Sequence, residues 1–368
     1  MQKKTGGASR FDRIIMKTRC LSLLSALCLA VCTLMTSCGT ASKDPKKFTA
    51  NSFDYFDTVT VITGYAPDQK TFDAVTDEVF DSLAEYHRLY TIYHRFNGME
   101  NLCTVNETVD GVHRTVTVDE RIMDLLTFAK EMHNTTNGYV NIAMGSVLSL
   151  WHDYRTIGTD DPGTASLPPI EKLQSAAAHT AIDDIVLDKV NRTVTLQDAQ
   201  MTLDVGAVAK GYAVECIAKA LEAKGIDGYV LNVGGNVRTI GSKPNGEAWT
   251  IGLENPDEGD PDYLAYLELH GEALVTSGSY QRYYMVDGNP YHHIIHPDTL
   301  MPATGFSSVS VISDDSGIAD ALSTALFCMS LDEGLTLVES MSNVEALWVG
   351  EDGKETSSSG FQAYRKPN

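Results

Sequence analysis

The stretch Asp204-Val-Gly-Ala-Val-Ala-Lys-Gly-Tyr-Ala213 constrains this chain more than any other. It sets a carboxylate, a glycine turn and a lysine at the start of a helix. Met201-Thr-Leu203 just before it predicts a short strand. Ala213, Ile217, Ala220 and Leu221 fall on one face of a helix over 209–224. Such a junction leaves backbone N–H groups free at the helix N-terminus, a place that favours phosphate. An ordinary packed turn fits the same pattern.

Two further segments carry chemistry. In Leu231-Asn-Val-Gly-Gly-Asn-Val-Arg238, strands over 228–233 and 237–241 meet at a double glycine. Glycine accepts positive φ and lets a ligand approach the backbone, although a plain hairpin turn needs it as well. In Ser316-Gly-Ile-Ala-Asp-Ala-Leu-Ser-Thr-Ala325, Ser316 is a candidate helix N-cap. Asp320 and Thr324 lie four apart, with their oxygens on one helical face. Oxygen ligands in small number suit Mg²⁺, which leaves further positions for substrate phosphate. A solvated helix face is the alternative. The apolar neighbours of Asp320 argue that it is at least partly buried, and a buried carboxylate needs a partner.

The N-terminus has the form of a targeting segment. Lys17 and Arg19 precede an apolar run, Leu21 to Met35, that is short for a membrane span and matches a signal peptide. Leu34-Met-Thr-Ser-Cys38 resembles a bacterial lipoprotein processing site. The expected division is a signal peptide over 1–37, lipid on Cys38, a tether over 38–50 and a catalytic domain over 51–368. A simple secretory signal is the alternative. Lipidation at Cys38 places the protein on the cell membrane, facing outward from the cytoplasm. Cys103, Cys216 and Cys328 are far apart with no C-x-x-C, so neither a zinc site nor a disulfide framework is indicated.

Helices are expected over 71–94, 119–134, 318–329 and 333–341, and a Gly/Pro/Asp-rich loop over 156–169. Between Asp184 and Phe306 short strands alternate with turns, including 249–253, 263–269, 282–286 and 291–295. Many strands with few helices predict an α+β fold, mostly antiparallel sheet with packed helices. At 368 residues and 43% hydrophobic, the chain can bury a large core. Its net charge of −21 makes it a poor partner for nucleic acid.

Seven segments in order resemble the ApbE family of FAD:protein FMN transferases, over roughly residues 51 to 350. They are Phe56-Asp-Thr-Val-Thr-Val-Ile62, Thr136-Asn-Gly-Tyr-Val-Asn-Ile142 with Val147-Leu-Ser-Leu-Trp151, the motifs at 204–213 and 232–238, Thr276-Ser-Gly-Ser-Tyr-Gln-Arg282, His293-Ile-Ile-His-Pro-Asp-Thr299 and Ala319-Asp-Ala-Leu-Ser-Thr324. The resemblance implies a T-fold-like core with one active site between lobes. It implies FAD as substrate and Mg²⁺ as cofactor. Since the bulk charge does not attract an anionic dinucleotide, a local cation has to offset its pyrophosphate.

The resemblance also implies roles. The Ala207 carbonyl, the Asp320 carboxylate and the Thr324 hydroxyl would hold Mg²⁺. Asp204 and Lys210 belong to the flavin site, although Lys210 can also pair locally. Phe56 and Tyr93 are candidates to flank the isoalloxazine ring, or core aromatics. Tyr139, Val140 and Asn141 stand at the family's Gly-Phe-Asp segment, with Val140 and Asn141 departing from its Phe and Asp. Ile295 faces the adenosine half. His293 is the expected base, because an ordinary histidine pKa near 6.5 suits proton transfer at neutral pH. His292 and His296 are expected bystanders; a zinc cluster of the three is disfavoured, since 292 and 293 alternate on a strand. His296 and Leu300 replace the family's Asp and Gly.

The implied reaction moves FMN from FAD to a Ser or Thr of an acceptor flavoprotein, such as a membrane redox-pump subunit or FMN-binding domain. Alternatives are a Mg²⁺-dependent FAD pyrophosphatase, a flavin-binding lipoprotein without turnover, and a generic solute-binding lipoprotein.

Overall fold

A computed structural model describes residues 44–109, 111–257 and 262–367. The signal segment and Cys38 lie outside the described residues. From Pro45 onward the chain forms one compact unit.

Its frame is an eight-stranded sheet whose strands follow sequence order, every pair antiparallel. The strands are β1 (Lys46–Tyr55), β2 (Thr58–Ala66), β3 (Tyr229–Val233), β4 (Asn236–Ile240), β5 (Ala273–Gly278), β6 (Phe306–Ser313), β7 (Val344–Gly350) and β8 (Glu355–Ser357). The main helices are α1 (Gln69–Tyr90), α2 (Glu120–Thr135), α3 (Gly145–Asp160), α4 (Ala209–Ala223) and α5 (Ser316–Cys328). Since β1 begins at Lys46, residues 46–50 are sheet, and the expected tether does not extend through them. Their alternation with the pairing residues of β2 supplies the reason: Phe48 and Ala50 pack inward against the core under α1.

Side chains alternate across the sheet, as strand geometry requires. Tyr229, Leu231 and Val233 face α1 and α4, with Phe72, Val79, Leu83, Val214 and Leu221 in the same core. Val230 and Val237 face the other way, toward Trp249, Leu267 and Leu269 of the hairpin Trp249–Glu254/Tyr263–Leu269. The largest core lies under α2, α4 and α5 and is sealed by Trp348 and Phe327.

Local sequence explains most element boundaries. α1 starts where Asp68 accepts the Thr71 N–H at 3.0 Å. α5 starts at Ser316, two residues before the expected 318, and its cap is Asp315, one residue before the candidate Ser316; Asp315 accepts from Gly317 and Ile318. Ser316 instead donates its hydroxyl to Asn236 Oδ1 at 2.7 Å. α3 runs on to Asp160, through the start of the segment expected as loop. Gly158 is buried within it, against the ring of Tyr284. Met201–Leu203 forms a single parallel bridge, Thr202 to Met144, in place of a strand. The hairpin before the His293 segment is Tyr283–Val286/Asn289–His292, so His293 to Ile295 leave the strand.

Candidate active site

The start of α4 is a sharp junction. Val208 and Ala209 hydrogen-bond back to the Val205 carbonyl, and Asp204 Oδ1 accepts the Gly206 N–H at 2.8 Å. The anion at this helix start is internal. Asp320 Oδ2 accepts the Gly211 N–H at 2.7 Å, and Oδ1 accepts Lys210 Nζ at 3.1 Å. The pull of the helix N-terminus therefore falls on a carboxylate of α5. Of the two roles open to Lys210, the local ion pair is the one present. Asp320 is 6% exposed, as its apolar neighbours implied.

Gly211 makes this contact possible. A Cβ there would lie 2.4 Å from both Asp320 Cβ and the Ser316 carbonyl. Asn236, at the double-glycine turn, packs into the same crossing, and Gly234 and Gly235 beside it have φ of +56° and +82°. Thr324 Oγ1 lies 3.5 Å from the Asp320 carbonyl, and Ala207 is half-buried in the preceding turn. Asp320, Thr324 and the Ala207 carbonyl offer oxygen only, with lone pairs to spare, and this donor set fits a hard cation. Among the described residues, no three His, Cys, Asp or Glu side chains cluster closely enough to hold a metal.

The second half of the site surrounds His293. Its amide N–H donates to the Arg282 carbonyl at 3.2 Å, and its ring Nδ1 lies 3.2 Å from the same oxygen. A carbonyl only accepts, so Nδ1 carries the proton and Nε2 keeps its lone pair. Burial, then the charges of Arg282 and Arg155, lowers the His293 pKa to about 4. The ordinary value expected from sequence does not apply: the imidazole is neutral at pH 7. His292 spends both nitrogens on structure, Nε2 donating to Ala303 and Nδ1 accepting from Ile294. His296 Nδ1 accepts from Asp298 at 3.1 Å, the turn-capping task of an Asp side chain. Leu300 takes φ of +62°, the left-handed backbone suited to the glycine it replaces. Its buried side chain and its carbonyl, which accepts the Trp151 indole N–H at 2.9 Å, hold it there.

Asp204 belongs to this half. Burial pushes its carboxyl above the ordinary range, against the opposing pull of the Gly206 N–H and of His152 and Arg155. Loss of water around the phenol, and then the charge of Asp204, raises the Tyr93 pKa. The Tyr93 ring is half exposed and tilts over His152 at 5.4 Å. Phe56 sits at the tip of the β1–β2 hairpin with φ of +54°, rare for a bulky residue, and donates its N–H to His87 Nδ1. Arg282 donates to the carbonyl of the next residue, Asp57, at 3.2 Å. Tyr93 thus feels the charges of Asp204, Arg155, Asp57 and Arg282, and Arg282 links His293 to the turn that holds Phe56.

Other expected residues offer less. Val140 is buried in the core, with its carbonyl 3.0 Å from His133 Nδ1. Asn141 donates to the Thr180 carbonyl and accepts from Ala143, a pair of tasks an ionised Asp cannot perform. Tyr139 meets His296 edge-on at 5.6 Å. Ile295 is buried under α3, bridged to Pro302. Arg155, Arg282 and His152 were missed as site residues. Arg282 lies within a quoted motif, but nothing in the spacing of Arg155 and His152 ties them to Tyr93 or Asp204, each about fifty or more positions away.

The profile of the ApbE family matches residues 56–348. An FAD:protein FMN transferase of Klebsiella pneumoniae is 31% identical over 75% of this chain and 82% of its own length. One from Treponema pallidum is 31% identical over 67% of this chain and 70% of its own. The crystal structure of the ApbE protein of Thermotoga maritima superposes with a TM-score of 0.75 at 28% identity, covering 88% of this chain and all of that one. The flavin transferase ApbE of Vibrio cholerae superposes at 0.70 with 23% identity over 87% and 99% of the two chains, a likeness of fold. The mixed helical and antiparallel fold, the ordered motifs and these likenesses agree: the chain belongs to the ApbE family.

Proposed function

We propose that this protein is an FAD:protein FMN transferase. The observation that carries the proposal is His293: a neutral imidazole whose Nδ1–H is held by the Arg282 carbonyl, leaving the Nε2 lone pair to accept a proton, in a member of this family. A Ser or Thr oxygen of an acceptor flavoprotein attacks the FMN phosphorus of FAD. The bond from that phosphorus to the bridging oxygen breaks, and AMP leaves. The acceptor's proton passes to His293 Nε2. The Arg282 carbonyl keeps the imidazole in the basic tautomer throughout. Asp204, Phe56 and Tyr93 line the flavin side, where an aromatic ring can stack.

Asp320, Thr324 and the Ala207 carbonyl are the residues that would hold Mg²⁺. That ion would supply charge neutralisation at the pyrophosphate. Lys210 and the Gly211 N–H fix the Asp320 carboxylate in place. Cys38 would carry lipid and hold the enzyme at the outer face of the cell membrane; the sequence around it supports this, and among the described residues no helix is long and apolar enough to cross a membrane.

The test is AMP release from FAD with Mg²⁺, with and without an acceptor flavoprotein domain. Transfer predicts AMP only with acceptor, and flavin fluorescence on the acceptor band in a denaturing gel. AMP and free FMN without acceptor would identify a pyrophosphatase. FAD binding without AMP would identify a non-catalytic flavin protein.

A further inference from the structure

Two arginines next to His293 have no structural task equal to their charge. Arg155 lies on α3 and Arg282 immediately precedes the 283–286 strand. α3 is pressed onto that hairpin: a Cβ at Gly158 would stand 2.7 Å from the Tyr284 ring. Trp151 ties the same helix to the Leu300 carbonyl. Both guanidinium charges reach the His293 imidazole, and each reaches the Tyr93 phenol. Among the described residues neither arginine is in an ion pair. Arg155 contributes one contact, Nη2 to His152 Nδ1 at 3.2 Å, and Arg282 one, to the Asp57 carbonyl. Most of each donor fork is left over. Burial and then the charge of Arg282 hold the Arg155 pKa below its ordinary value. Two like charges this near one another, one of them half-buried, cost folding free energy that an anion between them would offset.

We propose that Arg155 and Arg282 together bind the pyrophosphate of FAD beside His293. This rests on the transferase reading above and adds the residues that take the anion. A guanidinium fork matches two phosphate oxygens at once, which a lysine does not. Arg282 acts twice. Its side chain takes the phosphate and its carbonyl fixes the His293 tautomer, so anion and base are registered by one residue. The Asp57 carbonyl steers the Arg282 side chain from a turn in which Phe56 and Asp57 both have left-handed backbone, φ +54° and +51°. The same turn presents Phe56, so the aromatic and cationic groups are set by one strained tip. The site also meets the charge problem of an acidic chain: a local pair of cations receives an anionic substrate that the net charge of −21 repels.

The experiment compares full-length wild type with Arg155→Met, Arg282→Met and Arg155→Lys. Each is titrated with FAD and with riboflavin, which lacks phosphate, by flavin fluorescence at low and high salt. AMP release with acceptor is followed in parallel. Each Met variant should weaken FAD binding by about ten-fold or more, the size of a lost charge-assisted hydrogen bond. Riboflavin affinity should stay within about two-fold, and the salt dependence of FAD binding should flatten. Arg155→Lys should fall between wild type and Met. Wild-type FAD affinity in both Met variants, or equal losses for FAD and riboflavin, would overturn the clamp while leaving flavin transfer standing. Selective loss of FAD binding in variants of a wild type that releases no AMP would leave the clamp standing and remove the transfer.

Discussion

His293 is basic because of one carbonyl. The Arg282 oxygen takes the Nδ1 proton, and burial among cations keeps the ring neutral down to about pH 4. His293→Ala should lower single-turnover transfer by roughly two to four orders of magnitude with FAD affinity nearly unchanged. The wild-type acid limb should lie near pH 4 to 5, well below an ordinary histidine. Stability carries the same signature. Between the ordinary value of 6.5 and about 4, the unfolded chain takes up a proton that the folded site refuses. Stability is therefore full above that window and falls as pH drops through it, and His293→Ala should flatten the fall in a denaturant series. A wild-type rate for His293→Ala, or an acid limb at 6.5, would remove this role. At the same scale, Leu300→Gly sets two effects against each other. Releasing left-handed strain returns about 1–2 kcal/mol, and losing a buried leucine costs about 2–5 kcal/mol. The variant should be the less stable, which thermal denaturation reads directly. At this scale the sequence offered His293 and Asp320 as candidates and marked the two departures, His296 and Leu300. It hid Arg155 and the tautomer of His293, because both depend on contacts between distant segments.

Where α4 crosses α5, glycine decides the geometry. Gly211 has no room for a methyl group, and its N–H is spent on Asp320. Gly211→Ala should cost about 1–3 kcal/mol through overpacking. It should also cut transfer, since it displaces the carboxylate expected to hold the metal. Asp320→Asn keeps an acceptor for Gly211 and removes the charge, so it should keep most of the melting temperature and lose transfer. An Asp320→Asn protein that transfers FMN at the wild-type rate would show the metal assignment to be wrong. Hydrophobic spacing made α1, α2 and α4 legible to within a few residues, since each has one apolar face, and α5 was legible as an apolar run because it is buried nearly all round. At the start of α4 the sequence left a phosphate site and a packed turn both open, because spacing cannot reveal that an aspartate more than a hundred residues away takes the Gly211 N–H. α3 runs into the segment expected as loop, because Gly158, which weakens a helix on paper, is required under Tyr284.

On the scale of the whole molecule, an antiparallel sheet in sequence order gathers the β1–β2 tip, the double-glycine turn and α5 along one side, α3 adds Arg155, and the start of the 283–286 hairpin adds Arg282. Alternating strands made this α+β class legible; the order of strands was not, because pairing is set by packing across the sheet. The N-terminal segment makes its own prediction. Cys38→Ser should move the protein from the membrane fraction to the soluble one with its transfer rate kept, and persistent membrane attachment would count against lipid at that residue. The central claim, that this chain moves FMN onto protein, is tested most directly by intact-mass spectrometry of an acceptor domain incubated with FAD, Mg²⁺ and enzyme. The predicted result is a covalent gain of one FMN less water on a Ser or Thr, with one AMP per flavin, lost in His293→Ala. An acceptor of unchanged mass, while FAD is cleaved to free FMN and AMP, would contradict it.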